Sequence, residues 1–173
     1  MKSSTAYKNK PCEGTLPGSP RSSEADSWGD INRGPRTHAK QAFGADWWET
    51  FFDLTYARLD LDSIGIEQTR REVDFLIDAL NLSKDSQIAD IGSGLGRHAL
   101  ELDRRGFERV TGLDNNRMFI EEARARAIFE NLSPRFINSD ARYLPFKEEF
   151  DVAYIWMNLL GYFDNPQDNT RIL

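Results

Sequence analysis

The residues best suited to chemistry lie between positions 88 and 102, where three glycines alternate with other residues behind an acid. The order is Asp90, Gly92, Gly94 and Gly96, in a stretch whose pattern predicts a strand, a loop and the start of a helix. Glycine lets a backbone turn sharply and approach a ligand without a Cβ in the way. The first turn of a helix offers free N–H groups, which suit a carboxylate or a phosphate. The segment therefore predicts a ligand site, with an ordinary tight turn as the alternative.

The glycine spacing and the acid distinguish two classes of ligand. A dinucleotide-binding loop has the pattern G-x-G-x-x-G, and this chain has Arg97 at the sixth position. Asp90 would repel a pyrophosphate, whereas it would stabilise a sulfonium compound that carries an ammonium group. The pattern favours the sulfonium ligand, and an NAD(P)-dependent oxidoreductase is the rival interpretation.

Two more acids follow the next two predicted strands. Asp114 ends the strand at 110–113 and lies 22 residues after Gly92, close to the spacing at which an acid accepts hydrogen bonds from ribose hydroxyls. A helix N-cap is the structural alternative for Asp114, and the two roles are compatible. Asp140 follows the strand at 135–138, where it could accept a hydrogen bond from an adenine amino group. Because open α/β sheets bind ligands at the carboxyl ends of their strands, the three acids predict one site.

The elements around these residues alternate between short apolar strands and amphipathic helices. Strands are predicted at 87–91, 110–113, 135–138 and 152–157, and helices at 46–59, 67–80, 96–105, 116–132 and from 166 onward. Gly106 closes the third helix, and Asn165 with Pro166 begins the last. The alternation predicts an α/β fold, a Rossmann-like parallel sheet with helices on both faces.

Composition divides the chain into three parts. Residues 1–40 hold four of the seven prolines and the single cysteine, Cys12, and they predict a disordered tail. A short docking motif at Trp28 and Ile31 is the alternative for this part. Residues 41–82 predict an N-terminal helical cap with aromatic residues at spacings of four. Residues 83–173 predict a partial cofactor-binding domain.

Charge and hydropathy exclude several partners. The net charge is −6, with +3 on residues 1–40 and −9 on the rest, which argues against binding to nucleic acid. No apolar run approaches the roughly 18 residues that span a bilayer, and the N-terminus lacks the apolar centre of a secretory signal. We expect a cytoplasmic protein with no membrane partner, no nucleic-acid partner and no metal site.

Together these stretches resemble the class I S-adenosylmethionine-dependent methyltransferases from about Trp47 to the end. Residues 90–96 are similar to the family's first motif, 110–114 to its ribose-binding strand end, and 140–141 to its adenine-facing loop. The segments at 48–56, 96–102 and 160–164 resemble bacterial-type small-molecule methyltransferases. The resemblance implies S-adenosyl-L-methionine as cofactor and a small molecule as methyl acceptor.

The resemblance also implies which residues bind the cofactor. Tyr56 would cover the site from the N-terminal helix, and Met157 and Asn158 would lie beneath the cofactor. Ser93 stands where many relatives have a cysteine of similar size. The full set is Tyr56, Asp90, Gly92, Ser93, Gly94, Gly96, Asp114, Asn115, Asp140, Ala141, Met157 and Asn158.

No catalytic residue is assigned. An acceptor that must lose a proton needs a base, and His98 is the one histidine in the part predicted to fold. Its position on the first turn of a helix favours a structural role instead. Tyr162 and Asp164 follow the fourth strand on the side where an acceptor could approach, and either could assist.

The family's sheet has seven strands in the order 3-2-1-4-5-7-6, and this sequence predicts four. We therefore expect a C-terminally truncated domain, with a non-catalytic fragment or pseudoenzyme as the alternative to an active enzyme. The fourth strand would then be an edge, although its apolar composition is typical of a strand buried on both faces. Because a long apolar edge promotes association, self-association through this strand is a further expectation.

Overall fold

The computed structural model describes residues 47–157 and 159–172. The expectations for the tail at 1–40, the first residues of the cap, and Asn158 therefore lie outside the described residues. At the centre is a parallel sheet of four strands in the order β3-β2-β1-β4. The strands are β1 (Ile88–Ile91), β2 (Val110–Asp114), β3 (Arg135–Asn138) and β4 (Val152–Ile155). This sheet confirms the predicted Rossmann-like α/β fold.

The helices occupy the predicted stretches, with one exception near the N-terminal side. None of them, within the described ranges, is long and apolar enough to cross a membrane. They are α1 (Trp47–Phe51), α2 (Leu54–Tyr56), α3 (Ile66–Ala79), α4 (Arg97–Arg104), α5 (Arg117–Glu130) and α6 (Pro166–Thr170), with a π-helical turn at Ala57–Leu61 and a 3-10 helix at Ala141–Tyr143.

The prediction of one continuous helix over 46–59 is wrong. The backbone leaves the helical conformation at Asp53, whose φ is −102° and ψ −173°. The Asp53 side chain then accepts a hydrogen bond from the backbone N–H of Tyr56 at 2.9 Å, so it caps the next helix. A short polar side chain that bonds its own backbone competes in this way with the regular helix.

Side chains from alternate strand positions form the two faces of the sheet. On one face Ile88, Val110, Phe136 and Tyr154 pack with apolar residues of α3, α4 and α5 in the larger core cluster. On the other face the strands pack against Ala141 of the 3-10 helix and against loop residues Leu144, Phe146, Phe150 and Leu159. Since β1 and β2 are almost fully buried, apolar contacts fix the strands that carry the predicted site.

The ring of Phe136 fills the space above two glycines. A Cβ at Gly112 in β2 would lie 2.7 Å from Phe136 Cδ1, and one at Gly96 would lie 2.5 Å from Phe136 Cζ. Gly96 also has a φ of +76°, a backbone conformation that residues with a side chain rarely adopt. Both glycines are therefore needed for close packing of the loop and the sheet against one buried ring.

We predict that Gly112→Ala destabilises the protein by about 1–3 kcal/mol, because the added methyl group overpacks the core beside Phe136. Urea denaturation measures the free energy of unfolding. In a Phe136→Leu background, Gly112→Ala should cost less unfolding free energy, since the smaller side chain leaves space for the added methyl group. Gly65→Ala is the control, because nothing lies within 4 Å of a Cβ there. Equal losses from Gly112→Ala with and without Phe136→Leu would contradict this packing argument.

Candidate cofactor site

The glycine loop is held over the end of β2 by backbone hydrogen bonds. The N–H groups of Gly92 and Ser93 donate to the carbonyl of Leu113 at 2.7 and 2.9 Å. Gly92 and Gly94 both have a positive φ, and α4 begins directly after the loop. The loop therefore brings its backbone to the carboxyl ends of β1 and β2, as the sequence predicted.

Asp114 joins the loop to the following helix. Its Oδ2 accepts a hydrogen bond from the backbone N–H of Gly94, and its Oδ1 accepts one from Asn116, both at 2.8 Å. Burial raises the pKa of Asp114, and these two hydrogen bonds oppose that rise. The N-cap of α5 is Asn116, whose side chain accepts from the N–H groups of Met118 and Phe119. Asp114 thus stabilises the loop, and the capping role considered for it belongs to Asn116.

Asp90 is a buried carboxyl group that needs a partner. It is 1% exposed, and its Oδ2 accepts no hydrogen bond from the described residues. Burial raises the pKa of Asp90 to about 7, and the charge of Asp114 adds to the rise. The hydroxyl of Tyr154 on β4 opposes the rise without forming an aligned hydrogen bond. Because an unpaired buried charge is costly, this group fits a cationic ligand that donates N–H bonds.

Arg97 and His98 are both tied to Glu72 on α3. Glu72 Oε2 contacts Arg97 Nη1, and it lies 2.9 Å from His98 Nε2. Burial raises the pKa of Glu72, but hydrogen bonds from Arg97, Gln68 and His98 outweigh it and lower the pKa to about 2. Burial and the charge of Arg97 lower the pKa of His98 to about 4, so its imidazole is neutral at pH 7. These contacts fit the structural role expected of His98.

Asp140 accepts hydrogen bonds from Arg142, a residue that no sequence pattern indicated. Arg142 donates from its backbone N–H and Nε to Asp140 Oδ1 at 2.9 and 3.0 Å, and from Nη2 to Oδ2 at 2.6 Å. Burial raises the pKa of Asp140, but these hydrogen bonds outweigh it and lower the pKa. The carboxylate is therefore ionised and held in one orientation at the end of β3.

One cavity of about 510 Å³ is lined by Asp90, Arg97, His98, Asp114 and Asp140. Gly96 is absent from its walls, because it packs against Phe136, and Asn158 lies outside the described residues. The predicted site residues that line the cavity are Tyr56, Asp90, Gly92, Ser93, Gly94, Asp114, Asn115, Asp140, Ala141 and Met157. Sequence reasoning missed other lining residues, among them Trp48, Phe52, Arg97, Asn116, Leu159 and Phe163.

Five rings from two chain segments cover the cavity, and we call them the aromatic roof: Trp48, Phe52, Tyr56, Tyr162 and Phe163. Trp48 meets Phe163 edge to face at 5.5 Å, and Phe52 meets Tyr56 at 4.9 Å. The ring centroids of Phe52 and Tyr162 are 5.8 Å apart. Tyr162 therefore lies at the cavity, as expected, whereas Asp164 is not among its lining residues.

Comparisons with known proteins agree with the geometry. Residues 88–172 match the family described as a methyltransferase domain. Sterol 24-C-methyltransferase of Gibberella zeae is 24% identical over 151 residues, which cover 86% of this chain and 39% of that protein. An S-adenosylmethionine-dependent methyltransferase from Clostridium acetobutylicum superposes with a TM-score of 0.56 at 21% identity, over 68% of this chain and 47% of that one. The PH0226 protein from Pyrococcus horikoshii gives 0.54 at 26% identity, over 69% and 57%.

We predict that Asp90→Asn reduces the pH dependence of stability in the ligand-free protein. The ordinary pKa of this carboxyl group is 3.8, and in the fold its pKa is about 7. The folded state therefore binds the proton more tightly than the unfolded state does. The stability that this group contributes is present at low pH and is lost as the pH rises from about 4 to about 7. Asparagine has no such proton. At roughly 1.4 kcal/mol per unit of pKa, we expect Asp90→Asn to gain about 1–3 kcal/mol over the wild type between pH 5 and pH 8.

Urea denaturation at the two pH values measures this difference. Asp85→Asn is the matched control, since Asp85 is exposed. If Asp90→Asn and the wild type change equally with pH, the group is not a buried acid with a raised pKa.

Proposed function

We propose that this chain, whose residues 88–172 match a methyltransferase-domain family, is a class I S-adenosylmethionine-dependent methyltransferase and binds S-adenosyl-L-methionine in the cavity at the carboxyl ends of β1, β2 and β3. The observation that carries the proposal is the buried Asp90 carboxyl, without a hydrogen-bond partner at Oδ2 among the described residues and beside the glycine loop. The ammonium and sulfonium groups of this cofactor supply the positive charge that such a carboxyl favours.

The other cofactor-binding residues follow from their places around the cavity. Each carboxylate oxygen of Asp114 accepts one backbone hydrogen bond and has a second lone pair, so both can accept ribose hydroxyls. Asp140 would accept from the adenine amino group, with Ala141 beside the base. Met157, which lines the cavity, would lie beneath the cofactor with Asn158, and Tyr56 would cover it from above.

The proposed reaction is methyl transfer to a small-molecule acceptor. The bound cofactor supplies an activated methyl group, so the chain contributes mainly position and the exclusion of water. The aromatic roof supports this role, since its five rings line the same cavity as Asp90, Asp114 and Asp140. His98 is no candidate for the base, because its Nε2 is engaged by Glu72 and its pKa is lowered. The chain spans about two fifths of the length of the sterol 24-C-methyltransferase that it matches.

Two further proposals rest on the sequence. β4 pairs with β1 alone among the described strands, so we propose that the chain self-associates through the β4 edge. Gel filtration over a range of concentrations tests this, and a monomer at every concentration would contradict it. Location in the cytoplasm is likewise a proposal, which imaging of a tagged chain would test.

Isothermal titration calorimetry tests the cofactor assignment against its rival. We expect S-adenosylhomocysteine, the product of methyl transfer, to bind in the cavity, and NADH to show no binding. The lack of a sixth-position glycine and the presence of Asp90 both disfavour a dinucleotide. Binding of NADH without binding of S-adenosylhomocysteine would overturn the proposal and favour an oxidoreductase.

We predict that Asp114→Ala weakens binding of S-adenosylhomocysteine by about 1–3 kcal/mol, because it removes charge-assisted bonds to the ribose and releases the loop at Gly94. The same titration measures the change, after circular dichroism has verified that the variant is folded. Asp85→Ala, at an exposed site outside the cavity lining, should bind as the wild type does. Unchanged affinity in folded Asp114→Ala would contradict the ribose assignment.

A further inference from the structure

The guanidinium of Arg142 contacts groups from four separate parts of the chain. It donates three side-chain hydrogen bonds to Asp140 after β3, and its Nη1 lies 3.4 Å from Asp168 Oδ2 on α6. Its Cζ lies 4.2 Å from the ring centroid of Phe163 and 5.5 Å from that of Trp48 on α1. One side chain therefore touches both the adenine end of the cavity and two rings of the aromatic roof.

This arrangement is largely protected from solvent, so its interactions are weakly screened. The Arg142 side chain is 18% exposed, and the side chains of Asp140 and Asp168 are similarly covered. A guanidinium is planar and can bond a carboxylate through two parallel N–H groups while it stacks on an aromatic face. Lysine would keep the charge and lose both properties. The contacts of Arg142 therefore depend on arginine and not merely on a positive charge.

The fork from Arg142 determines what Asp140 can offer a ligand. Nε bonds both oxygens and Nη2 bonds Oδ2, and the backbone N–H of Arg142 adds a second bond to Oδ1. These three N–H groups share the two oxygens, which have about four lone-pair sites between them, so one site is left for another donor, and Asp140 lines the cavity. A carboxylate fixed in this way accepts an amino group and repels a carbonyl oxygen at the same place.

We propose that Arg142 is a positioning residue that orients Asp140 toward the adenine amino group and links adenine binding to closure of the aromatic roof. This inference rests on the proposed function. Without the guanidinium, Asp140 can rotate. Trp48 and Phe163 then lose the cation that contacts both their rings and Asp140. The two effects, weaker selection of adenine and a looser roof, should therefore appear together.

Calorimetric titration of full-length Arg142→Met with two ligands tests the first effect. S-adenosylhomocysteine carries the amino group, whereas S-inosylhomocysteine carries a carbonyl oxygen in its place. We expect the wild type to prefer the adenosyl ligand. Arg142→Met should bind the adenosyl ligand at least about tenfold more weakly, in line with loss of hydrogen bonds to a charged group. Its affinity for the inosyl ligand should change by less than about threefold, so the selectivity ratio falls.

Hydrogen exchange tests the second effect. Saturating S-adenosylhomocysteine should protect the amides of residues 47–56 in the wild type and should not protect them in Arg142→Met. Arg104→Met is the matched control, because Arg104 is also a partly buried arginine paired with two acids, Glu101 and Glu130, and none of the three lines the cavity. We expect wild-type selectivity and wild-type protection in that variant.

Arg142→Lys keeps the proposal testable if the methionine variant does not fold, since it retains the charge and loses the fork. Its selectivity ratio should also fall. An unchanged ratio in the folded variant, or equal loss of both ligands, overturns the positioning role while the proposed function stands. A wild-type chain that binds neither ligand overturns the proposed function itself, and this inference with it.

Discussion

The two hydrogen bonds that Asp114 accepts from backbone N–H groups hold together the edge of the sheet where the strands end. They join the end of β2 to the glycine loop at Gly94 and to the start of α5 at Asn116. Backbone N–H groups of the loop also donate to the carbonyl of Leu113, the residue before Asp114. The ends of β1 and β2 and the glycine loop therefore meet at one point. The shape of the cavity floor follows from this junction, and apolar packing below the sheet keeps the junction in place.

Charge around the cavity is distributed unevenly, which connects the fold to its proposed ligand. The arginines near the cavity have carboxylate partners: Arg97 pairs with Glu72, and Arg126 with Asp62 and Glu122. Asp90 and Asp114 have no ion pair among the described residues, and burial raises the pKa of each. A ligand of net positive charge would stabilise the ionised carboxylates, whereas a pyrophosphate would not.

The site could be predicted from sequence where local pattern determines position. The alternation of strands and helices and the glycine spacing sufficed to place Asp90, Asp114 and Asp140 at one edge of the sheet. Long-range contacts explain the rest. Gly96 was expected at the ligand, but it faces the Phe136 ring, which is 40 residues away in the chain. The partners of Arg142 on α1 and α6 likewise lie far away in the chain. The break at Asp53 is instead a local effect, since its side chain accepts a hydrogen bond from the backbone N–H three residues later.

A crystal structure of the protein grown with S-adenosylhomocysteine tests the central claim most directly. We expect electron density in the cavity, with both ribose hydroxyls within about 2.5–3.0 Å of the Asp114 carboxylate oxygens. The adenine amino group should face Asp140, and the amino-acid end should lie beside the glycine loop near Asp90. A ligand bound elsewhere, or one whose ribose does not contact Asp114, would contradict this account.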